Sequence, residues 1–263
     1  MSYFEMKDIV KQYDTTDNMF VVDGLPIHLD YSHSNISVDL SGGADSALLS
    51  YLLISELNKR KQKCTVHLIT HRRLWNTRPW QKMIAENVFE WLRGMSNPTT
   101  VVRHTNFIPP LLEMAEIKDV DPNIIEYYGH RTGECICVDG FRDMIMSDYG
   151  IDMRYNATTL NPPSSAKVEG GMSVRDRTEI IKLDLLDPME KETNPFIYIN
   201  KAWVIKQYKD NNILDLLYTT RSCEGGDVES PADWNGERPD DCGYCFWCNE
   251  RHWAMDENNV DHC

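Results

Sequence analysis

Ile36-Ser-Val-Asp-Leu-Ser41-Gly42-Gly43-Ala44-Asp45-Ser46 runs without a break into Ala47-Leu-Leu-Ser-Tyr-Leu-Leu-Ile-Ser-Glu-Leu57. The opening residues read as a short buried strand, the glycines as a turn, and the leucine-rich run as a helix. Two adjacent glycines allow backbone torsions that other residues resist, and they leave room for a ligand to reach main-chain N–H groups. The helix adds its first unpaired N–H groups and the positive end of its macrodipole, which together favour a bound phosphate or pyrophosphate. Ser41 and Ser46 supply hydroxyls at both ends of the turn. Asp45 repels a bare phosphate, so a carboxylate there suggests Mg²⁺ beside the phosphates. No lysine follows the glycines, which excludes the Gly-x-x-x-x-Gly-Lys-Ser/Thr loop of the common nucleotide triphosphatases.

Outward from this stretch, strands and helices alternate. A helix is expected from 47 to about 60, a buried strand over Cys64-Thr-Val-His-Leu-Ile-Thr70, and an amphipathic helix from Trp80 to Arg93. The next strand is Thr99-Thr-Val-Val-Arg-His104, followed by a helix within Gly133 to Tyr149 and a strand over Ile151-Asp-Met-Arg-Tyr-Asn156. This is the pattern of a doubly wound α/β domain with a mainly parallel sheet. Ligands of such sheets bind beyond the carboxyl ends of the strands, where strand order reverses. Ser41 to Ser46, the segment after Thr70 and Asn156 to Thr159 would then meet one ligand. His71, Arg72 and Arg73 lie in this zone, either as binding groups or as a solvated basic turn. Residues 1–35, with Met19-Phe-Val-Val22 and Leu25-Pro-Ile-His-Leu29, read as a small N-terminal β extension.

With 263 residues, 41% of them apolar, the chain can bury a sizeable core. Met1-Ser-Tyr-Phe-Glu-Met-Lys-Asp8 lacks the basic start and apolar stretch of a signal peptide, and no long apolar run interrupts the sequence, so a cytoplasmic protein without a membrane span is expected. A formal charge of −14 disfavours broad attraction to nucleic acid and directs attention to small molecules. Eight cysteines in such a chain argue for metal or redox chemistry over disulfides. Cys242-Gly-Tyr-Cys245-Phe-Trp-Cys248 places three thiols at three-residue intervals, and Cys223 can close a tetrahedron across the polar spacer 224–241. Structural Zn²⁺ fits the pattern, and a 4Fe–4S cluster fits it too. Asn249 to Met255 reads as a helix that starts at the metal. Cys64, Cys135 and Cys137 read as packing residues, and His262 and Cys263 as substitute ligands.

Ser-Gly-Gly-x-Asp-Ser between a strand and a helix resembles the PP-loop of the N-type ATP pyrophosphatases, which cleave ATP between its α and β phosphates to adenylylate a substrate. Together with the cysteine quartet it is similar to the 7-cyano-7-deazaguanine synthases. Tyr128-Gly129-His130-Arg131 stands where that family has a Pro-Gly-Arg-Asn turn, and Tyr155-Asn156-Ala157 where it has a Gly-x-Asn-Ala strand end. Pro195 through Lys201 to Ile205, then Thr220-Arg221-Ser222-Cys223 and Cys242 to Arg251, follow its Pro, Lys-x-x-Ile, Thr-x-Ser-Cys and Cys-Gly-x-Cys-x-x-Cys-x-x-Arg sequence. The family's Tyr-Gly-Gln segment is replaced by Thr70-His-Arg-Arg-Leu-Trp75, and the cysteine spacer is longer than usual.

The resemblance implies a PP-loop domain over 36–222 and a zinc-binding helical appendage over 223–263. It implies ATP with Mg²⁺, ammonia and 7-carboxy-7-deazaguanine as reactants, and a homodimer. Ser41, Gly42, Gly43, Asp45 and Ser46 would hold ATP, with Asp45 and Asn156 in catalytic positions. His71, His130, Arg131, Arg175 and Arg177 would be substrate contacts, and Cys223, Cys242, Cys245 and Cys248 the Zn²⁺ ligands. Rival readings keep the loop and change the acceptor, as in a tRNA-thiolating enzyme, or hold a nucleotide without cleaving it, as in a sulfonucleotide reductase-like protein. A non-catalytic zinc module is a further rival, and it leaves the phosphate loop unexplained.

Overall fold

A computed structural model describes residues 18–71, 80–107, 142–163, 166, 168, 191–223, 241–243 and 245–262. Its centre is a five-stranded sheet built from β3 (Asn35–Asp39), β4 (Cys64–His71), β5 (Thr100–Phe107), β6 (Met153–Tyr155) and β7 (Glu192–Thr193). The spatial order is β5-β4-β3-β6-β7, and every neighbouring pair is parallel. Two crossovers, through α1 (Ala44–Arg60) and α2 (Gln81–Arg93), carry the chain outward from β3 to β4 and β5. It then returns across the sheet to place β6 on the other side of β3. The reversal between β3 and β6 is the switch point of a doubly wound, Rossmann-like sheet, as the alternating sequence pattern predicts.

Ahead of the sheet, β1 (Met19–Val22) and β2 (Leu25–His28) form an antiparallel hairpin closed by Asp23-Gly24. Both turn residues have positive φ, 46° and 81°, which is the backbone that a two-residue type I′ turn demands. Leu25 and Ile27 point into the main core, and the Tyr155 hydroxyl donates to the His28 carbonyl at 3.0 Å.

One sheet face carries Ile36, Val38, Val66, Leu68 and Val102 and is covered by α1 and α2, with α4 (Lys201–Asp210), α5 (Leu214–Thr219) and α6 (Phe246–Glu257) packed beside them. Leu48, Leu49, Leu53 and Ile54 of α1 are fully buried. Each such side chain contributes roughly 1.5–3 kcal/mol relative to an exposed one, so α1 is anchored as deeply as any element of the fold. It begins at Ala44, three residues ahead of the sequence expectation, because Gly43 already serves as N-cap. Strand β5 also runs past its expected end at His104, since pairing with β4 continues through Thr70 with Asn106 and His71 with Phe107. α6 starts inside the cysteine run, at Phe246, and extends to Glu257. Of the helix expected within 133–149, α3 (Arg142–Asp148) is described and its earlier part lies outside the described residues.

The opposite face is partly polar. Ile69, Phe107 and Ile145 of α3 form a small apolar cluster, and next to it the buried Arg154 guanidinium spans two carboxylates. It donates to Asp39 at 2.6–3.1 Å and lies 3.3 Å from Glu192. Burial alone would raise the Asp39 carboxyl, but its hydrogen bond with His71 and the adjacent Arg154 outweigh that effect and hold it below its ordinary value. A carboxyl lowered on folding contributes stability that is present above its unfolded pKa and is lost as pH falls through the folded one. Arg154→Met should therefore destabilise the chain by about 3–5 kcal/mol near neutral pH, by removing the buried cation that Asp39 and Glu192 share. Urea unfolding at a series of pH values should show the deficit shrinking toward acid, as Asp39 protonates in the variant.

Candidate functional site

The carboxyl end of β3 lies between the ends of β4 and β6, and the segment Ser41–Ser46 turns there into α1. Gly42 has φ +79°, and a Cβ on it would meet Ile84 Cγ2 at 3.0 Å and the Ala85 backbone nitrogen at 3.2 Å. Conformation and proximity to α2 both require glycine at this position. Gly43 is extended and caps α1 with no side chain, so the first turn of the helix presents its N–H groups beyond the sheet. The Ser46 hydroxyl closes the loop from inside. It accepts the Ser41 N–H at 3.2 Å, donates to the Gly43 carbonyl at 3.2 Å and lies 3.2 Å from Ser41 Oγ. Ser41 Oγ also accepts the Gly43 N–H at 3.3 Å. Ser41 is the exposed member and Ser46 the buried one.

Three contacts from distant segments brace this loop. The Arg221 backbone N–H donates to the Gly42 carbonyl at 3.0 Å. Tyr208 of α4 donates its buried hydroxyl to the Ala44 carbonyl at 2.7 Å. Lys201, at the start of α4 and 3% exposed, donates its ammonium to one oxygen of Asp45, while the other oxygen, Oδ1, has no hydrogen-bond partner. Asp45 thus has one oxygen paired with an ammonium and the other buried without a hydrogen-bond partner.

Asn156 follows β6 directly. Its backbone N–H donates to the Thr193 carbonyl at 2.9 Å, and its side-chain oxygen accepts from the Thr158 N–H at 3.0 Å and hydroxyl at 2.7 Å. That Asx turn fixes the side chain and leaves its amide nitrogen for a ligand. Since Val38 pairs with Tyr155, Asn156 and Ser41 leave neighbouring strands on the same edge. His71 ends β4, 7% exposed, with Nε2 at 3.4 Å from Asp39 and its ring edge-on to Phe107. Its Nδ1 has no hydrogen-bond partner. His130, Arg131, Arg175 and Arg177, and with them Arg72 and Arg73, lie outside the described residues.

The second centre lies at the amino end of α6. The four thiols of Cys223, Cys242, Cys245 and Cys248 lie within 4.8 Å of one another, and among the described residues this is the one group of three or more His, Cys, Asp or Glu side chains that could hold an ion. Cys242 and Cys248 sulfurs are 3.8 Å apart. A tetrahedral ion bound at about 2.3 Å places its thiolates about 3.8 Å from each other, so the donor set fits a single metal. A four-iron cluster interposes iron atoms between its cysteines and spreads them further. Gly243, at φ +75°, turns the chain between the first two cysteines, and the Cys245 N–H donates to the Cys242 sulfur at 3.3 Å. Cys245 is the N-cap of α6 and Cys248 lies in its first turn, where the helix dipole favours thiolates. The Cys245 thiol is pushed up to about 12, chiefly by its hydrogen bond with Cys223, and Cys248 is raised by the same neighbour. Cys64 is separate, buried in β4 and pushed up to about 12 by burial. His262 pairs with Asp256 at 2.9 Å and stacks on His252, away from the quartet's ligand set. Cys135, Cys137 and Cys263 lie outside the described residues.

Sequence reasoning assigned no role to Lys201, Glu250, Arg251 or Arg154, all of them buried charges. Lys201 and Arg251 do fall in the quoted family motifs, which was the available signal. No family model matches the chain, and no curated protein matches it. Among solved structures it is similar to the U34-tRNA thiolase NcsA from Methanococcus maripaludis with its 4Fe-4S cluster, at 14% identity over 97% of this chain and 71% of that one, with a TM-score of 0.45. A likeness of that degree carries no reading of substrate or metal. Among the described residues no helix is long and apolar enough to cross a membrane.

Gly42→Ala should cost about 1–2 kcal/mol from its left-handed backbone alone, with the contact at Ile84 adding to it, and thermal unfolding measures the loss. Metal analysis of the purified chain should find about one ion per chain, and Cys248→Ser should fall well below that.

Proposed function

We propose that this protein is an ATP-dependent enzyme that adenylylates a carboxylate and passes it to ammonia, with 7-carboxy-7-deazaguanine as the acceptor. The observation that carries this reading is the glycine turn at the switch point: an uncapped helix start, two serine hydroxyls and a half-neutralised Asp45 converge beyond β3. The motif resemblance from Ile36 to Met255 supports the acceptor, and the cysteine quartet supports a structural Zn²⁺ at the carboxyl-terminal end.

In this reading the N–H groups of the α1 start and the Ser41 and Ser46 hydroxyls hold the α and β phosphates. Asp45 would hold the Mg²⁺ that accompanies ATP, and that ion would supply charge neutralisation at the phosphates. The acceptor carboxylate attacks the α phosphorus, the bond to the β-phosphate oxygen breaks, and pyrophosphate leaves. Ammonia then adds to the acyl carbon, loses a proton, and AMP departs to leave the amide. A second ATP activates the amide oxygen in the same way with loss of pyrophosphate, and loss of both amide protons and of AMP, which carries the amide oxygen away, yields the nitrile. Neither step needs a protein nucleophile. What they need is fixed positive potential around a crowded phosphorus and a departing pyrophosphate, which the loop supplies without reorganising. The Asn156 amide nitrogen contacts the acceptor from the β6 side, and His71 Nδ1 faces the same end of the sheet. His130, Arg131, Arg175 and Arg177 complete the acceptor site in this proposal, and two copies of the chain form a homodimer.

The test is to incubate metal-replete protein with ATP, Mg²⁺, ammonium and 7-carboxy-7-deazaguanine while following AMP and the acceptor's mass. AMP with amide or nitrile is the expected result. Asp45→Asn and Ser46→Ala should each reduce AMP formation by about 10²-fold or more. ATP left intact by folded protein would sink the reading.

A further inference from the structure

Lys201 joins two parts of the chain that the sequence keeps far apart. Its buried ammonium donates to Asp45 in the first turn of α1, and Glu250 of α6 lies 3.9 Å away on its other side. Glu250, 4% exposed, stands two residues beyond the thiol of Cys248. A buried ammonium shared by two carboxylates is positioned by both, so removing Glu250 leaves Lys201 held by Asp45 alone and loosens the tie between α6 and the start of α1.

A second strut runs beside the first. Arg251, fully buried, donates from Nη1 to Thr220 Oγ1 at 2.8 Å and from Nη2 to the Leu217 carbonyl at 3.0 Å. The next residue, Arg221, holds the Gly42 carbonyl through its backbone N–H, and Cys223 lies two residues further on. One helix, with one of the four thiols at its N-cap and another in its first turn, therefore braces the glycine turn through 217–221 and the start of α1 through Lys201.

We propose that the four-cysteine centre sets the geometry of the phosphate loop, with Lys201 and Glu250 as positioning residues, so that metal occupancy and anion affinity at Ser41–Ser46 rise and fall together. Metal at the quartet ties Cys223 to the first turn of α6 and so fixes both struts. By linkage the effect is reciprocal: an anion on the loop tightens the metal site. The inference rests on reading Ser41–Ser46 as a phosphate loop, and it is indifferent to the acceptor.

Hydrogen–deuterium exchange on the full chain tests it without any turnover. Loop amides at Ser41, Gly43 and Ala47 are followed in metal-loaded protein, in chelated protein, and in Glu250→Gln with its metal content measured. Loop exchange about 10-fold faster in both altered forms, with β4 unchanged, is the expected result. Equal loop exchange in metal-bound Glu250→Gln and wild type overturns the proposal, and this arm decides alone if the chelated chain unfolds. A titration with magnesium pyrophosphate separates the two ideas. Equal affinity with and without metal overturns the coupling and spares the phosphate reading, whereas no binding by a loop whose exchange responds to metal overturns the phosphate reading and spares the coupling.

Discussion

The molecule is organised around a turn that has almost no freedom. β3 lies in the middle of a parallel sheet, and between its end at Asp39 and the start of α1 at Ala44 the chain must leave the plane, against the side of α2. Gly42 accomplishes this with a left-handed backbone and no Cβ, at 3.0 Å from where Ile84 would collide with one. Because the turn is forced, the first turn of α1 opens beyond the sheet edge, and an anion there meets main-chain N–H groups with the helix dipole behind them. The Ser46 hydroxyl ties the two ends of the turn together, and Arg221, Tyr208 and Lys201 hold it from distant segments.

Charge is distributed to the same end. A chain with formal charge −14 would repel phosphates if its cations were scattered. Instead Lys201 and Arg251 are buried among the helices and Arg154 on the opposite sheet face, each beside carboxylate or carbonyl partners. Such burial is costly in isolation and is tolerated because each cation satisfies more than one acceptor. The outcome is specificity of arrangement: Asp45 is presented with one oxygen neutralised, and Asp39 is kept ionised next to His71. α6 serves both the metal quartet at its amino end and this charge network along its length.

Much of this was legible in residues 36–60, because strand, glycine turn and leucine-rich helix are consecutive, and local rules of torsion and periodicity suffice to read them. The cysteine quartet was legible for a similar reason, since three thiols at three-residue intervals can converge on one ion whatever surrounds them. Where the pattern fell short, the cause was non-local. β5 is longer than its apolar run because β4 continues to pair with it, and β7, two residues long, exists through its pairing with β6.

The sequence by itself determined the glycine turn between strand and helix, the alternation that yields a doubly wound sheet, and the cysteine quartet. Only the tertiary structure decided what those parts are attached to. Lys201 is 156 positions from Asp45, and nothing in either neighbourhood announces the pair. Likewise Arg154 finds Asp39 across 115 positions because β6 is inserted beside β3. A buried ion pair is selected by the packing of whole helices and strands, since only their mutual placement removes water from both partners at once. Periodicity describes which face of an element is buried, whereas the identity of the element that covers it is settled by the fold.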